Sequence, residues 1–359
     1  MFLNFLNLSF YKNFSSKKFN FESKINCFIG NNGVGKSNIL DSIYHLAYGK
    51  SYFNPLSFQN INFESNFFAI EGHFKKKEKI EKIICGLKKG EKKIIKRNDL
   101  KYKKIYDHIG LIQTVMISPI DQDLISDGSF IRRKFIDSII GQVDKIYLKN
   151  LVDYKKVISQ RNSLLKYFAI NKTFDNETLL IYNHQLIKLN KPIFKKRKEF
   201  ISKFIKIFKE IYNDINNKKE IVDIEYKSDL IENNIEEIFT KNLNIDKINQ
   251  HTTNGIHKDD LIFSIENHPI KKYGSQGQQK TFLISLKLAK YFFLKSQTGN
   301  SPILLFDDAF DKLDQERVSL IIEKVKENNF GQIFITDTHY ERTVNALSKN
   351  KSEYSIFEL

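Results

Sequence analysis

The segment Gly30-Asn31-Asn32-Gly33-Val34-Gly35-Lys36-Ser37 matches G-x-x-x-x-G-K-[ST] at every required position, between an apolar run, Ile25 to Ile29, and a helical pattern, Ser37 to Ala47. Strand, glycine-rich turn and helix in that order form the context in which this loop binds phosphate. The glycines let backbone N–H groups curl around an anion, and the helix N-terminus adds positive potential. Lys36 is expected to reach the β- and γ-phosphates of a nucleotide, and Ser37 to ligate Mg²⁺. A plain turn joining strand to helix would explain the glycines but not Lys-Ser at that offset. The chain is therefore expected to be an α/β protein that binds a nucleoside triphosphate with Mg²⁺.

A phosphate loop needs a carboxylate on its metal side. Ile303-Leu304-Leu305-Phe306-Asp307-Asp308 is an apolar strand ending in two acids. Asp307 is the expected Mg²⁺ partner, through water, and Asp308 is expected to orient or deprotonate the attacking water. On its own such a run is a strand and a polar turn; its meaning comes from pairing with Lys36.

The first 115 residues read as short strands, Phe2 to Phe10, Ile25 to Ile29, Phe67 to Phe74, Lys79 to Leu87 and Lys92 to Ile95, around one helix. From Ile131 to Asn217 there is no glycine after Gly141 and one proline, Pro192, and apolar residues recur at spacings of three and four. This predicts helices, with Pro192 in a first turn. Strands are expected at Glu220 to Tyr226 and Asp260 to Ile265, and a helix and loop over Asn233 to Asn249. A long helix should follow Ser275, and a βαβ unit should run from Ile303–Phe306 through a helix at Gln315 to Glu327 to Gln332–Ile335. The expected organisation is an N-terminal part of a head, 1–130, a helical arm, 131–220, and a C-terminal part of the same head, 221–359.

Composition narrows the class. With 359 residues, 41% hydrophobic and 28% charged, the chain is long enough for two or three packed lobes. No run approaches the roughly 18 to 20 apolar residues of a membrane span, and Met1 to Phe10 has no basic leader, so a cytoplasmic protein without membrane attachment is expected. Cys27 and Cys85 form no C-x-x-C pair, which argues against a disulfide framework and a thiolate metal site. The net charge of +16 favours anionic partners, although only seven of the 58 basic residues are Arg and lysine excess alone is generic.

Ser275-Gln276-Gly277-Gln278-Gln279 opens the long helix, about 30 residues before the acids, and Leu313-Asp314 follows them. The Ser, Gln and N-terminal N–H groups suit an anion, or simply cap the helix. A phosphate loop, a long insertion, S-x-G-Q, the Asp-Asp strand and Leu-Asp, in this order, resemble the ATPase head of the ABC superfamily. The likeness implies two heads sandwiching two ATP molecules, with Ser275, Gln276, Gly277 and Gln278 of one head meeting the γ-phosphate of the other and Asp314 in the D-loop.

Further blocks bring the resemblance to the RecF family of bacterial recombination mediators, allied to SMC and Rad50-type ATPases. They are Asn38-Ile39-Leu40-Asp41, Gly49-Lys50-Ser51-Tyr52, Ser118-Pro119, Ile131-Arg132-Arg133, Gln160-Arg161-Asn162, Gly255-Ile256-His257-Lys258-Asp259-Asp260 and Gly274 to Lys280. This resemblance implies an ATP-dependent homodimer on double-stranded DNA or single/double-strand junctions, weak DNA-stimulated ATP hydrolysis, and RecR and the RecO/RecA pathway as partners in repair. Lys12, Lys258 and Lys280 stand where that family more often has Arg, so the bidentate grip of Arg is lost there. Alternative readings are a transporter's nucleotide-binding subunit, which leaves the arm and basic charge without purpose, and a structural SMC-type ATPase, which needs far longer coiled coils than about 60 Å. Gln113 and Gln122 are both candidates for a Q-loop. His339 is a candidate γ-phosphate sensor or a loop histidine, and His257 with Asp259 and Asp260 is a metal site or a polar network.

Overall fold

The computed structural model describes residues 1–76, 78–216, 220–308, 330–338 and 354–359. The chain forms two compact units. One comprises Met1–Gln122, Asp214–Asn217 and Lys280–Leu359, and the other Asp123–Asn213 and Lys218–Gln279.

In the first unit a five-stranded, all-parallel sheet has the order Tyr354–Glu358, Ile25–Ile29, Ile333–Asp337, Ile303–Phe306, Thr114–Ile117. Its four inner and far-edge strands are buried at every residue, as expected when a parallel sheet is covered on both faces. A six-stranded antiparallel sheet runs Phe14–Asn20, Phe2–Tyr11, Phe67–Lys76, Lys79–Lys88, Ile94–Arg97, Leu100–Lys101. Helix Lys36–Tyr48 packs against strands of both sheets. Ile39, Ile43 and Leu46 join Leu3, Leu6, Phe28, Phe68, Leu305 and Phe334 in one core, and the helix is buried nearly all round, its polar Asp41, Ser42 and His45 included. The parallel pair expected from Ile303–Phe306 and the strand after Gln332 is present. Its expected connecting helix, Gln315 to Glu327, lies outside the described residues. Cys27 and Cys85 are buried and unbridged, and burial pushes both thiols up to about 12.

The second unit holds helices Ser129–Val143, Lys145–Asn171 and Asn176–Ile215 with a small antiparallel sheet, His268–Pro269, Asp260–Ile265, Val222–Lys227. The arm expected over 131–220 is part of a larger body, because 218–279 groups with it. Buried ion pairs supply the reason: Arg161 with Asp246, Arg197 with Asp259 and the half-buried Arg132 with Asp260 tie helices to that segment.

Pro192 does not start a helix; it lies inside one of 40 residues. A proline in a helix interior costs about 3 kcal/mol. Here the buried face continues across it, through Leu179, Leu186, Ile193, Phe200 and Phe204, and that burial outweighs one missing hydrogen bond. A second buried row runs down the same helix at the same spacing of seven, and it is polar: Asn183, Asn190 and Arg197.

Candidate nucleotide site

Four strand ends meet at the carboxyl edge of the parallel sheet, where open α/β sheets bind ligands. Ile25–Ile29 runs into the glycine loop and Ile303–Phe306 into Asp307. Thr114–Ile117 runs into Ser118, and Ile333–Asp337 carries Thr336 in its last turn of pairing.

The loop's backbone explains its glycines. Gly33 and Gly35 have φ of 87° and 108°, the left-handed region that L side chains avoid. At Gly35 a Cβ would also lie 2.5 Å from the Asn13 amide and 2.7 Å from the Phe14 ring. That close approach is used: Asn13 donates to the Val34 carbonyl at 3.0 Å and accepts from Asn38 at 2.7 Å, pinning the loop to the turn before it. The Lys36 ammonium is buried and donates to the Gly30 carbonyl at 2.7 Å and the Asn31 carbonyl at 2.9 Å. Asn31, Asn32 and Gly33 are exposed.

Asp307 is buried and ringed by hydroxyls. Ser118 Oγ donates to one carboxylate oxygen at 3.1 Å, Thr336 Oγ1 to the other at 3.1 Å, and Ser37 also hydrogen-bonds the group. Burial pushes its pKa up, the nearby Asp41 charge adds to this, and the three hydroxyls oppose it. A buried carboxylate of that kind is complemented by a hard cation. Ser37 and Asp307 therefore fit Mg²⁺ by the chemistry of their oxygens. Asp308 has a positive φ of 44°, and its N–H donates to Thr336 Oγ1 at 2.9 Å, so one threonine ties both acids to the sheet.

Behind the loop, Asp41 is fully buried. It accepts from Tyr11 Oη at 2.8 Å, Ser51 Oγ at 2.6 Å and the Tyr52 N–H at 2.6 Å, and pairs with Lys12 at 2.6 Å. Lys12 thus makes an ion pair inside the unit. Gln113 lies at the amino end of its strand, with its side-chain carbonyl bonded to Thr298 at 2.9 Å. Gln122 follows Ser118 on the carboxyl edge, so topology separates the two candidates.

In the second unit Ser275 and Gln278 form a reciprocal cap. Gln278 N–H donates to Ser275 Oγ at 3.2 Å, and the Ser275 N–H donates to Gln278 Oε1 at 2.7 Å. Ser275 and Gln276 remain exposed. His257, Asp259 and Asp260 are bonded to protein groups: Tyr154 Oη to His257 Nδ1 at 2.7 Å, Arg197 to Asp259 at 2.6 Å, and Arg132 to Asp260 through two bonds of 2.7 and 2.9 Å. Among the described residues no group of three His, Cys, Asp or Glu side chains is arranged to hold a metal. They are a polar network. Asp314 and His339 lie outside the described residues.

Two histidines, His257 in the second unit and the buried His45 on helix Lys36–Tyr48, make stability depend on pH. Burial lowers His257 to about 4 and His45 to about 3. An unfolded histidine titrates near 6.5, so the unfolded chain binds more protons below that pH and stability falls as pH drops from about 6.5 toward 4. Each ring should remove on the order of 1 kcal/mol between pH 7.5 and 5.5. Urea unfolding at the two pH values checks this, and His257→Gln should reduce the difference; an unchanged difference would remove His257 from the account.

Sequence reasoning missed Ser118 as a partner of Asp307 and Thr336 as the tie between the acids. Serine and threonine at strand ends carry no local signal of a partner 189 or 29 residues away.

The profile of the RecF/RecN/SMC N terminal domain matches residues 2–356. The DNA replication and repair protein RecF of Flavobacterium johnsoniae is 56% identical over 359 residues, covering 100% of both chains. The chain belongs to the RecF family. The RecF of Phocaeicola vulgatus is 44% identical, over 97% of this chain and 93% of that one. A solved structure of the recombination mediator protein RecF with ATP, in the RecFOR pathway, superposes with a TM-score of 0.88 at 30% identity, covering 94% of this chain and 92% of that one. Another, with ATPrS, gives 0.89 at 29% identity, covering 100% and 96%. An Smc head from Pyrococcus furiosus shares the fold alone, with a TM-score of 0.55 at 17% identity over 96% of this chain and 91% of that one. RecF membership makes the chain an ABC-type ATPase of DNA replication and repair. Among the described residues no helix is long and apolar enough to cross a membrane.

Proposed function

We propose that this RecF-family chain is an ATP-gated clamp on DNA. Two copies close head to head around duplex DNA or a single/double-strand junction when ATP is bound, and slow, DNA-stimulated hydrolysis reopens them. The bound state assists recombinase loading with RecR and the RecO/RecA pathway. The observation that carries this reading is the convergence of Ser37, Ser118 and Thr336 on buried Asp307 beside the Lys36 loop.

In this mechanism the backbone N–H groups of Gly30, Asn31, Asn32, Gly33, Val34 and Gly35 cradle the phosphates, and Lys36 moves from its two carbonyls onto the β- and γ-oxygens. Ser37 and Asp307 would hold Mg²⁺, which would supply charge neutralisation at the transferred phosphoryl group. Asp308 orients the attacking water and accepts its proton. Gln122 lines the same edge. Ser275, Gln276, Gly277 and Gln278 of the other copy dock against the γ-phosphate. The exposure of Ser275 and Gln276 leaves them available to a second copy.

Sedimentation with ATP, ADP or no nucleotide tests the clamp, and fluorescence anisotropy reads duplex binding across a salt series. The expected result is an ATP-dependent dimer that binds duplex with a log-log salt slope of about −0.9 per phosphate neutralised. Ser275→Arg should bind ATP as a monomer and neither dimerise nor hydrolyse, while losing only about 1 kcal/mol of helix cap. If binding were the same with ATP, with ADP and in Ser275→Arg, the lysine excess alone would account for it and the clamp would be excluded.

A further inference from the structure

Asp121 is buried three residues after Ser118, and it belongs to neither the acid strand nor the phosphate loop. Its Oδ1 accepts from Lys287 Nζ at 2.5 Å and from the Tyr52 hydroxyl, and Lys287 also donates to Tyr52 Oη at 2.9 Å. Its Oδ2 accepts the Ser118 N–H at 2.8 Å, while the Asp121 N–H donates back to the Ser118 carbonyl at 3.0 Å. Ser118 is thus closed into a four-residue turn, and the other oxygen of Asp121 is clamped by a buried lysine. Its hydroxyl then donates to Asp307 Oδ2 at 3.1 Å.

The same tyrosine reaches the loop's helix, because the Tyr52 N–H donates to Asp41 Oδ1 at 2.6 Å. Two buried carboxylates, one on the phosphate-loop helix and one beside Ser118, are therefore joined through a single residue. An exposed pair would contribute little, but Asp121 and Lys287 are each under a tenth exposed, where a charge pair is stiff and its loss is felt by every group bonded to it.

We infer that Asp121, Tyr52 and Lys287 are positioning residues that hold the Ser118 hydroxyl on Asp307 and so set the affinity of that carboxylate for its divalent cation. This rests on the proposed role of Asp307. Three hydroxyl bonds, from Ser118, Thr336 and Ser37, fix the orientation of the Asp307 carboxylate. Loosening one of them leaves a carboxylate that binds Mg²⁺ less well while the phosphate loop is untouched.

The test is ATP hydrolysis by the full chain as a function of Mg²⁺ concentration, with ATP binding measured separately in EDTA. Lys287→Met and Tyr52→Phe are expected to raise the half-saturating Mg²⁺ concentration, by about tenfold for Lys287→Met, the usual effect of losing an outer-shell partner. ATP affinity in EDTA should stay within about twofold, since those contacts come from the loop. Ser118→Ala should give the same shift, and the Ser118→Ala/Lys287→Met double variant should add nothing further. Tyr52→Phe removes one hydroxyl and keeps the ring, so it carries the test if Lys287→Met does not fold. A wild-type Mg²⁺ dependence in Tyr52→Phe and Lys287→Met, or additive shifts with Ser118→Ala, overturns the inference. Hydrolysis surviving in Lys36→Ala would instead remove the parent reading of the site.

Discussion

Lys36→Ala is expected to abolish ATP turnover and most ATP binding. The Lys36 ammonium is buried and held by the carbonyls of Gly30 and Asn31, so the variant loses both the charge facing the phosphates and the bonds that shape the loop mouth. Removing one well-placed donor to a developing oxyanion costs about a hundredfold to a thousandfold in rate. Here the donor carries full charge in a site walled by buried strands, so turnover should fall by at least about a hundredfold. Lys36→Arg keeps the charge, but a planar guanidinium does not reproduce an ammonium's bonds to two carbonyls, so this variant should bind ATP and hydrolyse it poorly. Single-turnover hydrolysis and fluorescent-ATP binding read the two effects separately. Normal hydrolysis by Lys36→Ala would end the assignment of the loop.

The parts of the site that were legible in the sequence are those written within a few consecutive residues. The loop needs left-handed backbone at Gly33 and Gly35 and close contact at Gly35, and only glycine satisfies both. Ile303 to Phe306 reads as a buried parallel strand because it lacks polar alternation. The Ser275–Gln278 cap is legible for the same reason, since its partners are three residues apart. What joins distant segments left no such mark. Thr114–Ile117 and Tyr354–Glu358 complete the parallel sheet by pairing with strands far away in the chain. Ser118 and Thr336 gain their meaning only when those strands bring them to Asp307. The buried row Asn183, Asn190 and Arg197 was hidden differently. Polar residues on a helix read as its solvent face, yet each meets a partner from another segment: Arg161 for Asn183, the Ile256 N–H for Asn190, and Asp137 and Asp259 for Arg197. Pro192 misled because its local preference was weaker than the burial of the helix on both sides.

Arg197→Ala is expected to destabilise the second unit by about 3 to 5 kcal/mol, the usual consequence of leaving buried charge unpaired. The guanidinium is almost wholly buried and bonds Asp137 at 2.9 Å, Asp259 at 2.6 Å and the Ile256 carbonyl at 2.6 Å. Tyr147 and Tyr226 spend their hydroxyls on the same two acids, at 2.5 Å each. No other cation reaches both carboxylates among the hydrogen bonds and ion pairs described, so truncation strands two acids at once. Burial already raises Asp259, and Arg197 is the largest opposing influence. In the variant its folded pKa should climb further above the unfolded value. A carboxyl with a raised folded pKa stabilises while protonated and loses that contribution as pH rises through the folded pKa. The deficit relative to wild type should therefore be smaller at pH 5.5 than at pH 8. Arg197→Lys keeps a charge but cannot span both acids, so it should fall between. Urea unfolding at the two pH values gives the magnitude, and hydrogen exchange along helix Asn176–Ile215 locates it. A deficit below about 1 kcal/mol, or one that grows toward low pH, would mean that the two acids find other partners and that the network does not hold this unit together.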